Sequence, residues 1–351
     1  MKRLHTLDYL RGTAALGIMI FHFLISSSYK FHAESFLGRV GIYGICVFYI
    51  LSGLTLYYVY HDKLIATFPS VVEFLNRRIS RIFPLLWLVT LVFIILSKSI
   101  PNLKVLLLNI TGLFGFFAPR AYLSEGQWSI GNELVFYSLF PIILLTAIHK
   151  KILYYNFSFI VVLLFLVFTF SLLSPGINLA NQWIIYINPF NQLFYFIAGI
   201  WIGKLFLNTT FALKEVLILS TLGLGLFIFW PSYGDPIHLV SGGTRLIFAI
   251  SCILICFSVF KMPEIRIKSL HWLMSTLGEI SYSVYLLHPL VFGELKNIII
   301  KYNYEMPVIM EAILGIIIVL PLSYLVYRFY EKPFMNIMNK MFAFNSKSHM
   351  I

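Results

Sequence analysis

Apolar residues run along this chain in blocks of about twenty, separated by short polar stretches. A bilayer core of about 30 Å needs roughly 20 apolar residues per helix. Blocks of about that length, some slightly short, occupy residues 10–28, 40–60, 82–97, 130–148, 152–173, 189–206, 213–230, 243–260, 275–297 and 307–328. The pattern predicts ten membrane-spanning helices. The stretch 105–118 is apolar but short, contains Gly112 and Gly115, and ends at Pro119. That length predicts a re-entrant or interfacial segment rather than a span.

Composition agrees with the pattern. The 351 residues are 60% hydrophobic, 17% aromatic and 11% charged, with a mean hydropathy of +0.87. Soluble domains are typically about 45–50% apolar and about 25% charged, so this chain cannot cover itself with polar surface. A disordered chain, a collagen-like repeat and a disulfide scaffold are excluded with the soluble globule, because aromatics are abundant and there are only three cysteines. Cys46, Cys252 and Cys256 all lie in apolar runs and read as small packed hydrophobes. The basic start Met1-Lys2-Arg3 resembles a signal peptide, but the apolar run after it contains Arg11 and His22 and lacks a small-residue cleavage pattern, so it is expected to remain as the first span.

Charge orients the chain. Of the 26 Lys and Arg residues, Arg11 and Arg245 are set aside, and those at span ends are counted with the flanking loops. If 105–118 does not cross, seventeen of the others lie on one side and seven on the opposite side. Under the positive-inside rule the richer side, with both termini, is cytoplasmic. The net +12 is therefore explained by topology, and no nucleic-acid partner is expected. The expected fold is an all-α, polytopic integral membrane protein, with residues 1–332 as one transmembrane domain and 333–351 as a short cytoplasmic tail. Its loops are short and no internal repeat is evident.

Ionisable groups inside spans are costly and mark functional candidates. In the first span Arg11 and His22 stand eleven residues apart, about three turns plus 20°, so a helix puts them on one face about 16 Å apart. Arg11 alone reads as a snorkelling anchor and His22 alone as a packed residue. Together they point to a ligand with anionic groups at the cytoplasmic mouth and a reactive carbon within. Arg77, Arg78 and Arg81 are expected in a cytoplasmic loop, either as topology and lipid-contact signals or as a phosphate clamp. Trp128-Ser129 leads into the fourth span, where Glu133 and Tyr137 share a face at i,i+4. Ser281, Tyr285 and His288 lie along one side of the ninth, and counting the helical rise puts His288 at a depth similar to that of His22. Arg245 reads as an outer-interface anchor, or else as the partner of an acid or of an acceptor. The small residues Gly41, Gly44, Ser52 and Gly53 of the second span read as a close helix-packing surface.

Five segments in order carry a resemblance: Arg11-x10-His22; Phe48 with Leu51-Ser52-Gly53; Arg77-Arg78-x-x-Arg81-Ile82-x-Pro84; Trp128-Ser129-x-x-x-Glu133-x-x-Phe136-Tyr137; and Ser283-x-Tyr285-Leu286-Leu287-His288-Pro289. Over nearly its whole length the chain resembles the integral-membrane acyltransferase-3 family, which includes bacterial O-acetyltransferases of cell-surface glycans. It departs at Gly44-Ile45-Cys46-Val47-Phe48-Tyr49, which lacks an acid common at that point in the family, and it is expected to lack the hydrolase-like domain fused to some members.

The resemblance implies transfer of an acyl group, usually acetyl, from cytoplasmic acetyl-CoA to a hydroxyl of O-antigen, capsule, exopolysaccharide or a lipid-linked sugar, in a bacterial plasma (inner) membrane. Acetyl-CoA would be a co-substrate, with no permanently bound cofactor and no metal. Arg11, Arg77, Arg78 and Arg81 would bind the donor's phosphates, and His22 would act as general base, the favoured role, or transiently as nucleophile on the acyl carbon. Glu133, to orient His22 or the acceptor, and His288, which with Tyr285 is a candidate to polarise the carbonyl, complete the catalytic candidates. Trp128, Ser129, Tyr137 and Tyr285 are the substrate-binding candidates. The rival expectation is a transporter or flippase using the same residues as a proton and anion path. A glycosyltransferase would call for acids in a sizeable outer loop, and a scaffold of a polysaccharide-export assembly would tolerate loss of His22.

Overall fold

A computed structural model describes residues 3–26 and 32–348, in which every regular element is helical. In chain order these are α1 (His5–Ser26), α2 (Phe36–Tyr60), α3 (Phe68–Ser97), α4 (Leu103–Thr111), α5 (Phe114–Phe117), α6 (Gln127–His149) and α7 (Lys151–Val167, extended by a π-helical turn, Phe168–Leu172). Next come α8 (Trp183–Tyr186), α9 (Pro189–Phe206), α10 (Leu213–Phe229), α11 (Ile237–Val240), α12 (Gly242–Lys261) and α13 (Lys268–Lys301). Finally α14 (Val308–Val326) runs through a π-helical turn (Tyr327–Glu331) into α15 (Lys332–Ser348).

Among the described residues, eight helices are long and apolar enough to cross a membrane: α1, α2, α3, α6, α7, α12, α13 and the continuous α14–α15. The chain is a polytopic, all-helical membrane protein. At the two remaining positions where the sequence predicts spans stand α9 and α10, of 18 and 17 residues. The first is diluted by Asn191 and Gln192, and the second is a residue short. The segment expected not to span forms the nine-residue α4 and four-residue α5, joined through Gly112 at φ +69°. Nine residues rise only about 14 Å. This segment does not cross.

The chain divides into two compact units, Met1–His61 with Tyr155–Ser281, and Asp62–Tyr154 with Tyr282–Ile351. In the first, α2 is the central and most buried helix. Glycine lets its neighbours approach closely: a Cβ at Gly53 would lie 2.0 Å from the Phe196 carbonyl oxygen of α9, and one at Gly199 would lie 2.0 Å from the Ile50 oxygen. The small-residue face therefore serves packing, as the sequence predicts. A similar contact joins α1 to α13, where a Cβ at Gly278 would meet the Asp8 carbonyl oxygen at 2.3 Å.

Two arginines of this unit are structural. Arg39, 3% exposed, donates to the carbonyls of Ala33, Phe227, Ile228 and Trp230, which gathers the otherwise unpaired acceptors at the C-terminal end of α10. Arg245 overturns the expectation of an interface anchor. It is 1% exposed, donates to the main-chain and side-chain oxygens of Asn191, and lies 4.5 Å from the centre of the Phe165 ring.

In the second unit α3 is longer than the hydropathy predicts, because it starts fourteen residues before the apolar run, with Pro69 in its first turn. It continues through Pro84. Nearby, the hydroxyls of Tyr282 and Tyr330 donate to the carbonyls of Ile82 and Pro84 at 2.9 and 3.2 Å. Pro84 itself brings no N–H to the Ser80 carbonyl four residues back, and the two hydroxyls bond other carbonyls of this stretch. The α15 helix packs on α3, so the chain stays helical past residue 332, where the sequence pattern ends the transmembrane domain. Lys296 and the buried Glu311 form an ion pair between α13 and α14.

Candidate functional site

The first unit holds Arg11 and His22. Because α1 is an uninterrupted helix from His5 to Ser26, the two groups keep the common stripe and the 16 Å rise that the spacing predicts. Arg11 Nη2 donates to Thr55 Oγ1 at 2.9 Å and to the Leu51 carbonyl at 3.3 Å, both on α2. Its Nη1 stands 3.8 Å from Asp8 Oδ1. Asp8 Oδ2 accepts from Arg3 Nε at 2.7 Å, and Arg3 also pairs with Glu279 of α13. An alternating chain Glu279–Arg3–Asp8–Arg11 thus joins α1 to α13 at one end of the unit, while Thr55 joins it to α2. Arg11 keeps 26% of its side-chain surface exposed. His22 is half-buried, its ring edge-on to Phe21 at 5.4 Å between centroids.

The second unit holds the other candidates. At the start of α6, Gly126 adopts φ +85°, a conformation that only glycine takes without strain. Gln127, 0% exposed, then folds its side chain back. Its Oε1 accepts from the amides of Leu123 and Ser124, and its Nε2 donates to Thr90 Oγ1 of α3. This fixes the entry to α6, with Trp128 and Ser129 buried just behind it. Ser129 Oγ lies 2.9 Å from both the Gly126 carbonyl and Tyr285 Oη. The i,i+4 pair forms as predicted, with Tyr137 Oη donating to Glu133 Oε2 at 2.9 Å.

His288, 1% exposed, sits 6.0 Å from the Tyr285 ring. Its Nδ1 is 3.0 Å from the Val284 carbonyl. A carbonyl only accepts, so Nδ1 carries the proton and a neutral His288 presents Nε2 as an acceptor. Donation from Nε2 to a substrate carbonyl requires the imidazolium.

The arginines differ from their expected setting. They stand on the helix α3 rather than in a loop, because Glu73 to Ile82 is a helix-forming stretch despite its charge. They also diverge. Arg77 is exposed and pairs with Glu73 one turn back at 2.7 Å. Arg78 lies over the Phe74 ring, 5.9 Å from its centre. Arg81 Nη1 pairs with Glu331 Oε1 at 3.0 Å, and its guanidinium lies 5.7 Å from the centre of the Tyr282 ring.

Sequence reasoning missed the acids. Asp8 is legible in retrospect, three residues before Arg11 on one helix face. Glu331 lies 250 residues from Arg81, and only its position just after an apolar span marks it. No group of three or more His, Cys, Asp or Glu residues that could hold a metal occurs among the described residues.

The family model of an acyltransferase domain matches residues 4–328, which takes in both units and every site candidate above. The chain belongs to the acyltransferase-3 family. It is also similar to the exopolysaccharide production protein ExoZ of Rhizobium meliloti (strain 1021), 29% identical over 123 residues that cover 31% of this chain and 37% of that protein. The chain spans little more than a third of the length of this curated relative. No solved structure matches it. Membership places the chain among acyltransferase domains.

Proposed function

We propose that this acyltransferase moves an acyl group, most simply acetyl, from acyl-CoA to a hydroxyl of a cell-surface polysaccharide or its lipid-linked precursor. Family membership supports the reaction type, and the likeness to an exopolysaccharide production protein supports the acceptor class. The observation that carries the reading is the stripe on α1: a partly exposed guanidinium and a half-buried imidazole about three turns apart on one unbroken helix.

In this reading Arg11 holds a donor phosphate. The guanidinium is a planar fork with charge that burial does not remove, and Thr55, Leu51 and Asp8 orient it before the donor arrives. His22 takes the proton from the acceptor hydroxyl as its oxygen attacks the thioester carbon. The C–S bond breaks, CoA leaves as the thiol after protonation, and the ester remains on the sugar. Imidazole suits this step because a neutral ring offers one nitrogen that accepts a proton while the other stays bonded. In the second unit Arg77, Arg78 and Arg81 of α3 are further guanidinium groups suited to a phosphate, and Arg81 pairs with Glu331. Within the second unit the Glu133–Tyr137 and Ser129–Tyr285 pairs are hydroxyl and carboxylate groups of the kind that bind a sugar.

The test is transfer of label from radiolabelled acetyl-CoA to a lipid-linked exopolysaccharide repeat by purified protein in nanodiscs. Alkali-labile label on the glycan, lost in His22→Ala, is the expected result. Wild-type protein that transfers no acyl group, or His22→Ala acting at the wild-type rate, overturns the reading.

A further inference from the structure

The π-helical turn that joins α14 to α15 ends at Glu331, whose carboxylate is 0% exposed. Both of its oxygens are engaged within the second unit. Oε2 accepts from Ser283 Oγ at 2.7 Å, and Oε1 faces Arg81 Nη1 at 3.0 Å. Ser283 is itself fully buried on α13, so the carboxylate cannot rotate without losing both contacts. Arg81 is held on further sides. The Tyr282 ring lies against the guanidinium, pinned by its hydroxyl on the Ile82 carbonyl, and Met335 Sδ stands 3.7 Å from Nη1. A π-turn inserts one residue into the helical repeat, rotates the next stretch of helix by about 100°, and occurs often at functional positions. Here the turn ends on the buried acid.

The pair is asymmetric. Glu331 is closed off, whereas the Arg81 side chain keeps 34% of its surface exposed. A guanidinium has five donors, and the carboxylate meets it at Nη1. We propose that Glu331 is a positioning residue for donor binding: it fixes Arg81 from the buried side so that the opposite edge of the guanidinium faces an incoming phosphate of the acyl donor. The inference rests on the acyl-CoA reading above and assigns an anionic phosphate monoester or diphosphate as the group received.

The experiment measures CoA binding by calorimetry and KM and kcat for acetyl-CoA, using the full chain in nanodiscs with melting monitored in parallel. Glu331→Gln keeps the shape and the Ser283 contact but removes the charge. It is expected to weaken CoA binding and raise KM at least tenfold, with kcat within twofold. Arg81→Ala should do the same, and the double variant should be no worse than either. Wild-type protein that does not bind CoA overturns the acyl-CoA reading itself. CoA binding weakened by Arg81→Ala but unchanged in Glu331→Gln overturns only the role of Glu331. A fall in melting temperature and kcat at constant KM marks a structural staple and also overturns it. Should Glu331→Gln fail to accumulate, Ser283→Ala decides: a raised KM at constant kcat supports the proposal, and an unchanged KM overturns it.

Discussion

Thr55 Oγ1 receives a hydrogen bond from Arg11 Nη2 at 2.9 Å, one turn beyond Leu51, whose carbonyl accepts from the same nitrogen. The guanidinium is therefore oriented by α2 as well as by Asp8 on its own helix. If it holds a donor phosphate, losing it and loosening it should differ in size. Arg11→Ala is expected to raise the KM for acetyl-CoA at least tenfold with kcat little changed, which marks lost binding rather than lost chemistry. Thr55→Val removes a single hydrogen bond of about 0.5–1.5 kcal/mol and should raise KM about two- to tenfold. Initial rates over a range of donor concentrations separate the two. An unaltered KM in Arg11→Ala would end the phosphate role.

The α1 stripe assigns the opposite kinetic signature to His22. General-base catalysis contributes roughly 10²–10⁴-fold. His22→Ala should lower kcat by that order and leave donor KM close to wild type. The half-buried ring contacts Phe21 edge-on, and a catalytic role predicts that its loss shifts melting by only a few degrees. A large stability loss with kcat retained would identify a packing histidine.

Ser129 and Tyr285 meet across α6 and α13 at 2.9 Å, next to the left-handed Gly126. If the two hydroxyls act as one unit, their deletions will not add. Ser129→Ala and Tyr285→Phe are each expected to lower melting modestly, and the double variant should fall short of the sum by a coupling of about 0.5–1.5 kcal/mol. Additive effects would show that the contact is incidental. The same cycle run on kcat reports whether the coupling reaches the reaction.

How far the sequence reaches depends on the range of the interaction. Periodicity and length locate the spans and reject 105–118, because both signals are local. The Arg11–His22 stripe and the Glu133–Tyr137 pair are legible for the same reason: a helix fixes what three, four or eleven residues mean. The extent of α3 is misread because its arginines resemble a loop to a hydropathy scale, although their helix propensity is good. The fate of those arginines is not legible at all. Arg77 finds its acid four residues away, but Arg81 finds Glu331 only through the packing of α15 on α3. Arg245 misleads in the same way, since its partner Asn191 lies on another helix.

Glycine offers the sharpest test of the packing, because one substitution has opposite expected signs at two positions. At Gly53 an added methyl would sit 2.0 Å from the Phe196 carbonyl oxygen and 3.3 Å from the Ile200 nitrogen, and Gly199 meets α2 in the same way from the other side. Both obstacles are backbone, which cannot swing aside as a side chain can. Gly53→Ala must therefore push α9 away from α2, an overpacking cost of about 1–3 kcal/mol. At Gly225 of α10, nothing lies within 4 Å of the added carbon. There alanine brings only its better helix propensity, worth roughly 0.5–1 kcal/mol. Thermal melting in a fixed detergent should fall for Gly53→Ala and hold or rise for Gly225→Ala. Equal melting of the two variants would mean that α2 and α9 do not pack as closely as these glycines require.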